Sequence, residues 1–330
     1  LLIECPPASS PTFTPYVLAW LLGELGAEAS TFSGVGRFPL FRWSISPFSG
    51  GSDHYVLSDP TVGIPTPMLV QWPDRFYHTD HDTPDKVDPA MLWRVGTAVT
   101  ACAYLLAGAS EREITVMGLK ALSRLQWELS EYAAEDARRI SEAETSQDLA
   151  LAFAGAMERL DLRREVGHRA LEHMIRLWPE ERKFVEALQG KFASHYREVR
   201  HLVEEIALAR AEQLGLKSIP EIAAPEPEED LRLVPVRLHR GPPADGEIRR
   251  RLKELPEEES ERWYRLQKEL GNRRHVLPVL ALYWADGRRT LGEIAKLVEL
   301  ETGIPVREFL PEFFRLLEKT GLVKLKGPSA

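Results

Sequence analysis

Residues 50–88 read GGSDHYVLSDPTVGIPTPMLVQWPDRFYHTDHDTPDKVD, and this stretch decides the fold. Its glycine-rich start follows an apolar run, Phe41–Ser46, that reads as a strand. A second run, Pro67–Trp72, reads as another strand and leads into the His- and Asp-rich segment 74–83. The stretch ends at Asp88-Pro89, an N-cap aspartate followed by proline at the first helical position, where a missing N–H costs nothing. Upstream, Leu1–Glu4 reads as a buried strand and Pro15–Leu25 as a helix. Strands alternating with helices predict an α/β sheet covered on both faces. In such a sheet, ligands gather in loops at the carboxyl ends of strands, so the segments 50–54 and 74–83 are expected to share one site.

Working outward, the 330 residues predict two or three domains. The chain holds 44% hydrophobic residues and only 2 Cys, which excludes wholesale disorder and a disulfide framework. No apolar stretch reaches the roughly 18–20 residues of a bilayer span. The nearest, Val95–Ala109, reads as a buried helix. The chain opens on Leu1-Leu2-Ile3-Glu4, with neither Met nor signal peptide, so the sequence is expected to enter a domain partway through.

Region 1–108 has a net charge of −5, 109–230 of −8 and 231–330 of +5. From 111 to 215 the pattern is helical. Leu122, Leu125, Leu129 and Tyr132 recur at helical spacing, as do Leu149, Phe153, Ala156 and Leu160. Phe184, Leu188, Phe192, His195, Val199, Leu202, Ile206 and Ala209 form a third stripe, on which His195 reads as a hydrogen-bonded core histidine. Such stripes require partners: a helical hairpin or small bundle packed on region one, or a homo-oligomer through this segment. The acidic, proline-rich residues 220–230 read as a linker between 109–219 and 231–330. Beyond it, Val276–Trp284, the capping box Thr290/Glu293 opening Leu291–Thr302, Pro305–Lys319 and a strand at Leu322–Leu325 give the layout of a winged helix. Its third helix mixes Arg307, Arg315 and Lys319 with Glu308, Glu312 and Glu318, a balance that disfavours nucleic acid.

Imidazole and carboxylate clusters are the ligands of catalytic zinc, but the clusters here lack a spacing such as H-E-x-x-H. The ordered series Ser52-Asp53-His54, Gly63-Ile64-Pro65, Tyr77-His78-Thr79, Asp82-Thr83, Asp85 and Asp88 resembles the C-terminal half of the dinuclear zinc aminopeptidases, relatives of the glutaminyl cyclases. Trp72-Pro73-Asp74 and the run from Leu282 to Gly287 are similar to bacterial members that append a winged helix. The resemblance implies, for 1–108, part of an α/β/α sandwich. It makes His78 a zinc ligand and Asp53 a catalytic residue that supports proton transfer or holds the substrate amine. His54 and Tyr77 would line the pocket, and Asp82 and Thr83 would steady the His78 loop. The substrate would be a peptide or aminoacyl amide, cleaved by metal-activated water. The family's H-x-D pair, its Glu-Glu and its next Asp have no counterpart here, so the chain alone is expected to be inactive. Glu4 does not resemble the Glu-Glu motif. The alternatives are a non-catalytic binding protein, or a regulator whose winged helix binds protein or DNA. The low cysteine count and the winged helix point to the cytoplasm.

Overall fold

The computed structural model describes residues 1–26, 28–222 and 228–327. The chain is mostly helical, with three small sheets. Its elements are β1 (Leu2–Glu4), α1 (Thr14–Glu24), β2 (Glu28–Ser30), β3 (Arg37–Pro39), β4 (Ser44–Ser46), α2 (His54–Ser58), β5 (Met68–Val70) and α3 (Pro89–Gly108). Three long helices follow, α4 (Glu111–Ser141), α5 (Ser146–Leu177) and α6 (Arg182–Gln213). The last part comprises β6 (Val234–Arg237), α7 (Asp245–Leu252), α8 (Glu257–Leu270), α9 (Leu277–Trp284), α10 (Leu291–Thr302), α11 (Leu310–Lys319) and β7 (Val323–Lys326).

The first sheet has the order β4-β1-β5. β1 runs parallel to β4, pairing Glu4 with Ser46, and antiparallel to β5, pairing Leu2 with Val70. All three expected strands are shorter than the apolar runs that announced them. A β2–β3 hairpin, unannounced by the sequence pattern, stands at the surface. The antiparallel β5 corrects the single-site expectation. The carboxyl ends of β1 and β4 lie at one sheet edge, whereas the segment after β5 departs beside Leu1 and Leu2, at the other.

Asp88 caps α3 as its sequence demands, accepting from the Ala90 N–H at 2.9 Å. The expectation of a buried helix is corrected: α3 buries only Ala98, Cys102 and Leu105, against α1. Leu92, Trp93, Val99 and Tyr104 remain exposed, because among the described residues nothing packs on that side. At 20 residues, α3 is long and apolar enough, by length and composition alone, to cross a membrane.

α4, α5 and α6 form a three-helix bundle whose core is continuous with Ile3 and α1. The buried stripe of α6 runs Val185, Leu188, Phe192, Tyr196, Val199, Val203, Ala207. At Tyr196, Val203 and Ala207 it falls one position beyond the stripe expected from sequence, so Leu202 faces solvent. Facing two helices at once is what rotates it. Gly167 lets α5 and α6 close together: a Cβ there would meet the Phe192 ring at 2.4 Å. His195 is hydrogen-bonded, 3.0 Å from Ser130 Oγ and 3.1 Å from the Gln126 carbonyl.

The linker expectation, 220–230, falls partly on 223–227, outside the described residues. Beyond it, α8–α11 build a second core around Leu280, Ile294, Phe313 and Phe314. Thr290 accepts from the Glu293 N–H at 3.2 Å, closing the capping box, and Gly303 ends α10 in the left-handed region at φ 71°. The third helix of this set starts at Leu310, five residues later than its proline suggested. β7 pairs with β6, a strand hidden in the sequence by Pro235. This core is tied to the first sheet's loops by long-range polar contacts. Arg237 grips Asp59 through two N–H···O bonds of 2.7 and 3.1 Å, with both groups buried. The Ala8 N–H donates to Glu301 at 2.8 Å, and the Tyr283 hydroxyl donates to the Tyr55 carbonyl.

Candidate functional site

The strongest polar constellation begins where β1 ends. Strand alternation turns Glu4 inward, 3% exposed, beneath the segment that leaves β4. Its carboxylate accepts from the Ser49 N–H (2.8 Å), the Gly50 N–H (3.2 Å) and the Ser49 hydroxyl. A fourth contact, 2.8 Å long, comes from His54 Nε2, at the first turn of α2. Burial alone would raise the Glu4 pKa. The hydrogen bonds from His54 and Ser49 outweigh it and hold the carboxyl below its ordinary range. Gly50 sits at φ 70° directly under the second core, where a Cβ would lie 2.8 Å from the His275 carbonyl oxygen. The Phe48 ring packs edge-on against His54, at 5.5 Å between centroids, and 6.0 Å from Tyr283.

Chemically, this is an oriented carboxylate–imidazole pair. With Nε2–H donated to Glu4, His54 Nδ1 is left as a lone-pair acceptor, and it is buried without a protein partner. Asp53, the adjacent residue, is exposed, and although it occupies the N-cap position of α2 its side chain makes no capping bond. The neighbouring thiol is not a nucleophile: burial, reinforced by Glu128, pushes Cys5 up to about 12. His54, expected to line the pocket, is buried, with its ring drawn inward to Glu4. Sequence reasoning passes over Glu4, whose only local signal is a carboxylate closing an apolar strand.

At the opposite edge, the segment after β5 is exposed throughout 77–90. His78 adopts the left-handed backbone, φ 57°, and its ring stacks on Tyr77 at 3.8 Å. Tyr77 in turn meets Trp72 edge-on. The turn around His78 is closed by Thr79, whose hydroxyl donates to the Phe76 carbonyl at 2.7 Å. Thr83 does not steady that turn, since its hydroxyl bonds Asp85 and the His81 carbonyl instead. Asp82 lines a cleft of about 490 Å³ with Leu1, Gln71, Asp74 and Arg75, and neither Tyr77 nor His78 faces it. His81 is exposed.

Asp53 and His54 are thus held at one edge, and Tyr77, His78, Asp82 and Thr83 at the other. Among the described residues no three His, Cys, Asp or Glu side chains converge as a metal ion requires. His78 offers one imidazole to a zinc that needs three or more protein ligands, so the residues present do not hold that metal by themselves. The chain matches no family model, and no curated protein or solved structure is similar to it.

Proposed function

We propose that the chain is part of a zinc-dependent aminopeptidase-like hydrolase acting on peptide or aminoacyl amide bonds, and that it lacks a complete hydrolytic centre of its own. The observation that carries the reading is His78: an exposed imidazole, stacked on Tyr77 and set in a left-handed turn, with no protein hydrogen-bond partner among the described residues. A ring held that way is pre-positioned for a ligand from outside the chain. In this reading 1–108 belongs to an α/β/α sandwich and 231–330 is a winged-helix-like unit. The remaining metal ligands lie on residues outside these 330.

The test is made on the native protein purified from its source cells, with its N-terminal sequence determined first. Hydrolysis of aminoacyl anilides should stop with chelator and return with zinc. His78→Ala should lose metal and activity together while remaining folded. Chelator-sensitive hydrolysis by the 330-residue chain alone overturns its incompleteness; activity lost with zinc retained overturns the ligand role.

A second reading, a non-catalytic binding protein, is favoured by one feature. Three cations around α11 are already paired, Arg315 with Asp230, Lys319 with Glu259 (2.5 Å) and Arg265 with Glu312 (3.7 Å). That reduces the positive charge free for phosphates and suits a protein contact better than DNA.

A further inference from the structure

A cavity of about 560 Å³ opens between the glycine-rich loop and the second core, within the range of small-molecule sites, which run from about 300 to 1,000 Å³. Gly51 and Tyr55 close one side of it. α7 and α8 form the opposite wall. On α8, Tyr264, Gln267 and Lys268 follow at three and four residues, so they line the cavity as one face. Trp263, Ile248, Pro278 and Val279 supply its apolar surface.

The charge in this cavity is unbalanced. Its single carboxylate, Asp245, is taken up by Arg249 at 2.5 Å. Lys268 and Arg274 also line it, and among the described residues neither has a carboxylate partner. Around the second core some cations, Arg237, Arg289, Lys296 and Arg315 among them, are matched to an acid. Two unmatched cations beside the half-exposed Tyr264 ring and a wall of apolar side chains match a ligand with an anionic head and a flat apolar body.

We propose that this junction cavity binds a small organic anion, a carboxylate or phosphate joined to an aromatic group. The head rests on Lys268 and Arg274 and the body on Tyr264 and the apolar wall. Because Gly51 and Tyr55 belong to the loop that carries Asp53 and His54, the bound anion clamps that loop to the second core. Neither His78 nor Asp53 lines the cavity, so this site stands or falls independently of the hydrolase reading.

The probes are 2-naphthoate, 2-naphthyl phosphate and the uncharged naphthalene-2-carboxamide, titrated calorimetrically into the 330-residue chain. Both anions should bind about ten-fold or more tightly than the amide, the difference of one good charge contact. Whichever anion binds tighter identifies the head group. Lys268→Glu combined with Arg274→Glu should erase that preference with the circular dichroism spectrum unchanged. Equal affinity for anion and amide, or no anion binding at millimolar concentration, overturns the proposal. Should the double variant fail to fold, salt decides on the native chain. Anion affinity must fall as sodium chloride rises while amide affinity holds, and parallel behaviour overturns the proposal.

Discussion

In the segment from Ser46 to Tyr55, a buried carboxylate from the far end of another strand gathers two backbone amides, a hydroxyl and an imidazole. In the segment from Asp74 to Asp88, the side-chain hydrogen bonds among the described residues reach at most three positions along the chain. The first holds one Asp and one His among Ser and Gly, the second five Asp and two His, and that composition does not tell which is held by distant partners. Burial does. The first is fixed by partners 45 to 50 residues away in sequence, so its stability is coupled to the sheet and to the second core. The second is a chain of local turns, free to move without disturbing a core. A rigid edge and an adaptable edge therefore sit on the same three-stranded sheet.

The largest expected effect lies where the rigid edge meets the second core. Asp59, in the turn after α2, is fully buried and accepts from the Thr61 N–H (2.8 Å) and hydroxyl (2.7 Å) as well as from Arg237. Arg237→Met leaves that carboxylate buried without its cation, which should cost about 3–5 kcal/mol in urea unfolding. Asp59→Leu with Arg237→Met should recover part of the loss, because no lone charge is then buried. A loss below about 1 kcal/mol for Arg237→Met, the size of an exposed pair, would mean that the two parts of the chain are not locked at this point.

Next comes Glu4→Gln. The amide keeps one acceptor oxygen but places an NH₂ against donors, so about 2–3 kcal/mol should be lost. The effect carries a pH signature. The folded pKa of Glu4 is depressed from 4.5, so its contribution is present above that value and disappears as pH falls through the folded value. The stability gap between wild type and Glu4→Gln should therefore be widest near neutrality and close in acid. Glu301 has the opposite sign. Burial raises its pKa, partly offset by the bonds from Ala8 and Trp284, so its contribution is present below 4.5 and lost as pH rises through the folded value. Glu301→Gln should gain on wild type as pH rises across that window. If the Glu4 gap were independent of pH, an ionised carboxylate could not be what anchors the loop.

These two carboxylates show what is legible in the sequence. Signals that act over a few residues survive in the structure: Asp88 before Pro89, Thr290 with Glu293, Gly303 after α10, and the apolar stripes of the bundle. Features made by distant partners do not announce themselves. Glu4 gains its meaning from Ser49 and His54, Asp59 from Arg237, and β6 from β7. The direction of β5 matters most for function. A strand's apolar run is the same whichever way it points, so periodicity cannot reveal that the two His- and Asp-rich segments leave opposite edges. The rotation of the α6 stripe has the same origin, since the neighbours of a helix, not its own pattern, decide which of two adjacent apolar positions is covered.

The smallest expected effect tests the adaptable edge. His78 holds φ 57°, a conformation that costs a side-chain-bearing residue about 1 kcal/mol and glycine almost nothing. His78→Gly relieves that strain, loses an exposed ring stack worth about 0.5–1.5 kcal/mol and loosens the unfolded chain. The two costs slightly exceed the one gain, so the stability read from urea unfolding should stay within about 1 kcal/mol of wild type. His78→Ala cannot relieve the strain and should be slightly worse, by no more than about 1 kcal/mol. Because neither variant disturbs a core, a loss of ligand binding at His78 could be read directly, without correction for unfolding. A cost of about 3 kcal/mol or more in either variant, comparable to Arg237→Met, would remove the distinction between the edges. The turn around His78 would then be a structural support of the sheet, and its imidazole would be committed to the fold.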